Sequence, residues 1–390
     1  IGRMTRKSPV GAFKSFGKKK WLSFGGWINA VIPVLIVPYY SVIGGWVIKY
    51  LVEYFRGNAK QLAEDGYFTD FISNGVSTEL CFMAFCAFTL IIIFAGVQNG
   101  IERVSKIMMP ILIVLSVIIA VYSVTRPGAL AGVKYFLVPN VKNFSWMTVV
   151  SAMGQMFYSL SIAMGILITF GSYMKKDTAI EDSTRNVEVF DTGIAIMAGL
   201  MIIPAVFAFS GGDPNTLQAG PSLMFITIPK VFQNMGFGTV IGIVFFLLVL
   251  FAAVTSSIAL TESAVSTFED ELGWGRKKAT VLVGVIMLAL GSLSSLGYGP
   301  LAGIKIIGMQ FLDLFDFLTN SVMMPIAALL TSLLVSRVVG IDKIEDEIIH
   351  GESAFRRKKV FVVMIKYLCP VFAIIILLSS VANALGWIKM

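Results

Sequence analysis

Chemistry in this chain would have to come from a few polar groups set inside apolar sequence. The stretch GQMFYSLSIAMG, residues 154–165, carries two glycines, two serines and a tyrosine within a run apolar enough to cross a membrane. Serine bonds locally to backbone and competes with the helix ladder, and glycine lowers the cost of unusual dihedrals. Tyr158-Ser159-Leu160-Ser161, flanked by Gly154 and Gly165, therefore predicts an unwound patch that turns carbonyls and a hydroxyl into the protein interior. Its half-helices would present opposite dipole ends to whatever sits between them. The competing reading is a continuous helix whose small residues serve close packing.

A second cluster lies in FAAVTSSIAL, residues 251–260. Thr255 and Ser256 follow Ala252 by three and four residues, so both hydroxyls and that carbonyl's second lone pair share one helical face. Neutral oxygens grouped this way suit a hard monovalent cation, unless the hydroxyls merely bond back to carbonyls one turn earlier. Two carboxylates complete the set. Asp191 in VFDTGIAIMAG and Asp316 in FLDLFDFLTN sit inside or at the mouth of apolar spans. A charged, unpaired carboxylate there costs at least a few kcal/mol, which makes each a functional candidate by default.

The elements that must position these groups follow from composition. Hydrophobic residues make up 56% of the 390-residue chain and charged residues 14%, with a mean hydropathy of +0.83. A soluble domain would carry about a quarter charged residues. Apolar runs of ~20 residues, enough for the ~30 Å hydrocarbon core, are read near 22–55, 79–98, 107–126, 145–174, 183–210, 236–267, 279–297, 306–338 and 361–386. The chain is thus expected to be an all-α polytopic membrane protein with about nine spans, several overlong and obliged to tilt, break or protrude. Basic residues mark every second loop: Lys18 to Lys20, Arg103 and Lys106, Lys175 and Lys176, Arg276 to Lys278, and Arg356 to Lys359. The loop at 56–76 instead carries Glu64, Asp65 and Asp70. By the positive-inside rule, residues 1–20 are cytoplasmic and the C-terminus is outside, in a plasma (inner) membrane. The net charge of +8 is then a topology signal and not a nucleic-acid footprint.

Other chemistries find little support. Cys81, Cys86 and Cys369 lie in or beside apolar spans without metal spacing, and the lone His350 falls in a charged loop. No HExxH, P-loop or GxSxG motif occurs, so enzyme chemistry is not expected. The opening, IGRMTRKSPVGAFK, has neither an initiator methionine nor a signal-peptide pattern, and reads as the tail of a helix whose body lies upstream.

Several motifs, in order along essentially the whole chain, resemble the neurotransmitter:sodium symporter family and particularly its bacterial amino-acid transporters. GIERVSKIMMP (100–110) resembles the loop leading into that family's fifth helix, and GQMFYSLSIAMG the unwound centre of its sixth. TSSIAL followed by FEDELG resembles the eighth helix and the loop beyond, and IGRMTRKSPVGAF the end of the second. The resemblance implies an inverted-repeat transporter fold with discontinuous helices. Residues 21–127 would form the remainder of the first repeat, 140–338 the second, and 360–387 an additional C-terminal helix, all in one transmembrane domain over 1–390. It also implies that the first helix and most of the second are missing, so that the chain is N-terminally truncated.

Roles carried over by the resemblance are specific. Tyr40 would meet a substrate carboxylate and Ile36 line the pocket wall. Tyr158 would be an aromatic lid, the carbonyls of Tyr158, Ser159 and Ser161 would receive an ammonium, and Met164 and Leu260 would line the side-chain pocket. Ser159 and Asp191 would serve one sodium, and Ala252, Thr255 and Ser256 a second. Asp191 stands where the family commonly has asparagine, and Ala195 one turn on carries no charge, so Asp191 is expected to supply the negative charge that chloride supplies elsewhere. Gln155 and Asp316 would belong to an extracellular gate, Tyr173 and Asp270 to a cytoplasmic one, with the arginine partners in the missing segment.

The expected function is sodium-coupled uptake of a hydrophobic or aromatic amino acid by alternating access, independent of chloride. The rival expectation is a truncated, non-transporting membrane paralogue or scaffold. The sequence leaves oligomeric state open.

Overall fold

The computed structural model describes residues 1–213, 217, 220–352 and 354–384. Two short helices, α1 (Gly2–Thr5) and α2 (Pro9–Lys14), lead into the spans α3 (Lys20–Phe55), α4 (Gly75–Phe94) and α5 (Val97–Val124). A divided segment follows, α6 (Trp146–Ser159) and α7 (Ile166–Tyr173). Then come α8 (Ile180–Ser210), α9 (Gly238–Leu272), α10 (Arg276–Leu296) and α11 (Phe311–Val339). The amphipathic α12 (Ile341–Ile349) precedes the last span, α13 (Lys358–Asn383).

Eight of these helices are long and apolar enough to cross a membrane. With the divided segment they account for the nine spans expected from hydropathy. The last expected span, 361–386, ends outside the described residues. Among the described residues no strand forms, and only Ile306 and Met309 make an isolated bridge. A chain that cannot offer backbone polar groups to lipid has to satisfy them within helices.

The centre of the bundle is α3. Two thirds of its apolar window is buried (67%), against 11% for α13, which leaves α13 at the periphery. α3 packs on α9, α4, α10 and α11. Gly45 shows how close these approaches are, because a Cβ there would lie 2.7 Å from the Phe82 backbone nitrogen of α4. Towards the C-terminal end of α3, Trp46 and Tyr50 join Phe68, Phe225 and Phe246 in an aromatic nest. Phe68 stacks on Phe225 at 5.2 Å, and the Tyr50 hydroxyl donates to the Phe225 carbonyl at 2.8 Å. Such pairs contribute about 0.5–1.5 kcal/mol each beyond their buried area, so α3 is held as a fixed axis.

The two halves of the divided segment have different neighbours. α6 rests against α13, whereas α7 packs on α1, α2 and α9. A separate apolar cluster of Phe13, Leu22, Leu334, Val335, Val339, Ile344 and Ile348 ties α2, α3, α11 and α12 together near α7.

Candidate functional site

The division of the fourth span falls at Leu160–Gly165, between the last residue of α6 and the first of α7. This is slightly further along than the sequence suggests, because Tyr158 and Ser159 still belong to the final turn of α6. Ser161, Ala163 and Gly165 take φ of 54°, 61° and 73°. For the two non-glycine residues a left-handed backbone costs on the order of 1–3 kcal/mol each, so the surroundings must enforce it. They do so at Gly165. A Cβ there would lie 2.6 Å from the Asn29 carbonyl oxygen of α3 and 2.8 Å from Pro9 Cγ of α2. Gly154, in contrast, sits in regular helix with nothing within 4 Å of a Cβ position.

The break changes which carbonyls are free. Ser161 N–H donates to the Tyr158 carbonyl at 3.1 Å, and Ile162 N–H to that of Phe157 at 2.9 Å. The expectation that the Tyr158 carbonyl is open is therefore corrected: the turn that ends α6 engages it. Among the described residues no backbone N–H donates to the carbonyls of Ser159, Leu160 or Ser161. Those oxygens are the ones left for another partner.

The break borders a cavity of about 420 Å³, within the range of small-molecule sites. Ile36 and Tyr40 of α3, Tyr158, Ser159, Ser161 and Met164 around the break, and Leu260 of α9 all line it. Thr255 and Ser256 line it too, and the Tyr40 hydroxyl faces Ser256. All seven residues expected to contact substrate thus meet at one cavity. Met109, Ile166 and Ala259 share its wall and were not anticipated.

The groups expected to hold sodium divide into two sets. Ser159 Oγ donates to Asp191 Oδ1 at 2.7 Å, joining α6 to α8 beside the break. On α9, Thr255 Oγ1 donates to the carbonyls of Ala252 (3.0 Å) and Phe251 (3.1 Å). The back-bonding foreseen for this hydroxyl is present, and its oxygen lone pairs stay available beside the Ala252 carbonyl.

A second cavity, about 430 Å³, lies on the other side of Tyr158 and Gln155, which line both. Its wall includes Asp316 and Asn320. Asp316 Oδ1 accepts from Asn320 Nδ2 at 2.6 Å and from the Tyr39 hydroxyl at 3.2 Å. Tyr39 is nearly fully buried and its role was not foreseen, although it directly precedes Tyr40. At the opposite end, Tyr173 and Asp270 do not pair with each other. The Tyr173 hydroxyl donates to Glu262 Oε1 at 2.7 Å, and Arg276 Nη2 meets Glu262 Oε2 at 2.6 Å. Asp270 Oδ2 accepts the Ser8 N–H at 2.5 Å. Glu262, fully buried, was missed. Its signal was available, since it follows Thr255 by seven residues and shares its helix face.

An interrupted helix beside an unbroken one, together walling a cavity, is the arrangement of membrane transporters with discontinuous helices. Comparison with known proteins agrees. The model of the sodium:neurotransmitter symporter family matches residues 52–387. An uncharacterized sodium-dependent transporter of Bacillus subtilis (strain 168), YhdH, is 33% identical over 385 residues, covering 98% of this chain and 84% of its own. One from Haemophilus influenzae is 30% identical over 397 residues, covering 97% and 85%. The crystal structure of MhsT in complex with L-phenylalanine superposes with a TM-score of 0.85 at 32% identity, covering 97% of this chain and 86% of that one. The chain belongs to the sodium:neurotransmitter symporter family: it is a sodium-dependent membrane transporter and not an enzyme.

Proposed function

We propose that the chain carries a hydrophobic or aromatic amino acid together with sodium, by alternating access around the cavity at Leu160–Gly165, without a need for chloride. The observation that supports this most is the meeting of free backbone carbonyls and side-chain hydroxyls at one cavity. The free carbonyls of Ser159 and Ser161, which line it, suit an ammonium. The Tyr40 hydroxyl is a donor for a carboxylate. Ile36, Met164 and Leu260 leave the remaining wall apolar, in keeping with the phenylalanine bound in MhsT.

Two sodium ions complete the reading. One takes the Ser159 hydroxyl and Asp191, whose fixed negative charge stands in for an anion, and the other takes Ala252, Thr255 and Ser256. Tyr158 and Gln155, shared by the two cavities, act with Asp316 as the outer gate, and Tyr173 with Asp270 belongs to the inner one. Residues 1–20 lie in the cytoplasm and the C-terminus outside. A membrane potential then contributes roughly 2.3 kcal/mol per translocated charge per 100 mV.

Uptake of labelled phenylalanine and leucine into proteoliposomes of the purified protein, with an imposed sodium gradient, tests this. Accumulation that needs sodium and persists when gluconate replaces chloride is expected. Accumulation that ignores sodium, or binding of neither amino acid, overturns it.

A further inference from the structure

We propose that the turn joining α2 to α3 is a binding surface for anionic phospholipid. Lys18, Lys19 and Lys20 are consecutive and exposed. Among the described residues none of the three takes part in an ion pair, whereas Arg3, Lys14, Arg276 and Lys358 are each matched to a carboxylate. They stand at the start of α3, which has no acidic residue in its first turn.

The depth of the triplet identifies the partner. Lys20, Phe24 and Trp27 follow the i, i+4, i+7 spacing of one helix face, and Phe24 and Trp27 are 56% and 38% exposed. Lys14 Nζ sits 5.8 Å from the Trp27 ring centroid, which places a cation beside the indole. An exposed indole in a spanning helix settles at the boundary between hydrocarbon and headgroups. Seven residues at ~1.5 Å rise put Lys20 about 10 Å beyond that boundary, just past a headgroup layer of roughly 5–8 Å. Trp27 then sits at that boundary and Phe24 in the headgroup layer just outside it, while the lysine side chains, folding back along the helix, bring their ammonium groups to the level of the lipid phosphates. A phosphodiester carrying two acyl chains satisfies both halves of the surface. An acidic peptide would match the lysines and leave the aromatic face uncovered.

The position has a structural reach. Pro9 of α2 closes against Gly165 at the break, and Ser8 N–H holds Asp270. Lipid seated on the turn steadies the short helix that abuts the interrupted span.

The test needs no transport. Detergent-solubilised protein is titrated with phosphatidylglycerol or phosphatidylcholine, and bound lipid is counted by native mass spectrometry. Phosphatidylglycerol is expected to bind the more tightly. The variant Lys18→Gln/Lys19→Gln/Lys20→Gln loses about fivefold per lysine, on the order of 100-fold in all. Lys175→Gln/Lys176→Gln, two cations in another loop, stays within twofold. An unchanged thermal midpoint shows that the triple variant is folded. Equal binding by the parent and the triple variant overturns the proposal, as does an equal loss in both variants, which would mean diffuse charge. Competition by millimolar inorganic phosphate also overturns it, since the surface would then take free anions.

Discussion

Two stretches of the molecule deliver oxygen atoms to the same cavity by opposite means. α9 runs unbroken for 35 residues and offers side-chain hydroxyls, Thr255 and Ser256, with its backbone ladder intact. The segment from Trp146 to Tyr173 gives up its ladder at Leu160–Gly165 and offers main-chain carbonyls. The first arrangement is cheap, because a hydroxyl that bonds back to Phe251 and Ala252 is satisfied with or without a ligand. The second is costly. Ser161 and Ala163 sit at φ of 54° and 61°, and α2 and α3 pack closely on Gly165 where the break ends. A site built from one fixed wall and one strained wall has its adjustable part already marked.

The contrast breaks most completely at Gly165. Gly165→Ala adds a Cβ at a left-handed position and against the Asn29 carbonyl, and is expected to cost at least ~2 kcal/mol. A clear fall in thermal midpoint, with loss of phenylalanine binding, would be the readout. Next comes Asp191→Asn, which removes the charge beside the strained wall. On the scale of a charge-assisted hydrogen bond, about 1.5–3 kcal/mol, sodium affinity should fall roughly 10- to 100-fold or acquire an anion requirement. Sodium titrations in chloride and in gluconate would show it, and curves identical to the parent's would remove Asp191 from the sodium site.

Smaller effects sharpen the comparison. Thr255→Val keeps the α9 ladder and the side-chain shape while deleting one oxygen. The half-saturating sodium concentration should rise roughly fivefold, in line with a hydrogen-bond-sized loss of ~1 kcal/mol, with no change in melting. The least expected effect is at Gly154→Ala, in regular helix with open space around it. This should leave phenylalanine binding alone and stabilise the helix by about 0.5–1 kcal/mol. Were it as damaging as Gly165→Ala, the strain would not be localised where the backbone angles put it.

The pair of glycines also shows what a sequence can and cannot reveal here. Composition and helical spacing were enough for the nine spans, and the family resemblance supplied most of the residues that meet at the cavity. Apolar length and polar intrusions are local properties, and the family resemblance attaches them to roles. The exact register of the break was not local. Gly154 and Gly165 look alike in the chain, and only the approach of Pro9 and Asn29, far away in sequence, selects Gly165. Glu262 and Arg276 escaped for a similar reason. Arg276 reads as one more loop cation until the fold brings it within 2.6 Å of a carboxylate buried on α9. Tyr39 escaped because Tyr40, beside it, carried the resemblance.

Those two tyrosines have a mechanical meaning. Side chains on consecutive residues of a helix are about 100° apart around the axis and displaced ~1.5 Å along it. Tyr40 opens onto one chamber and Tyr39 is bonded to Asp316 of the other, on a helix whose apolar window is two-thirds buried. α3 therefore works as a ruler: it fixes the spacing between the chambers covalently. Any motion that enlarges one at the expense of the other has to be made by the parts that swing around it.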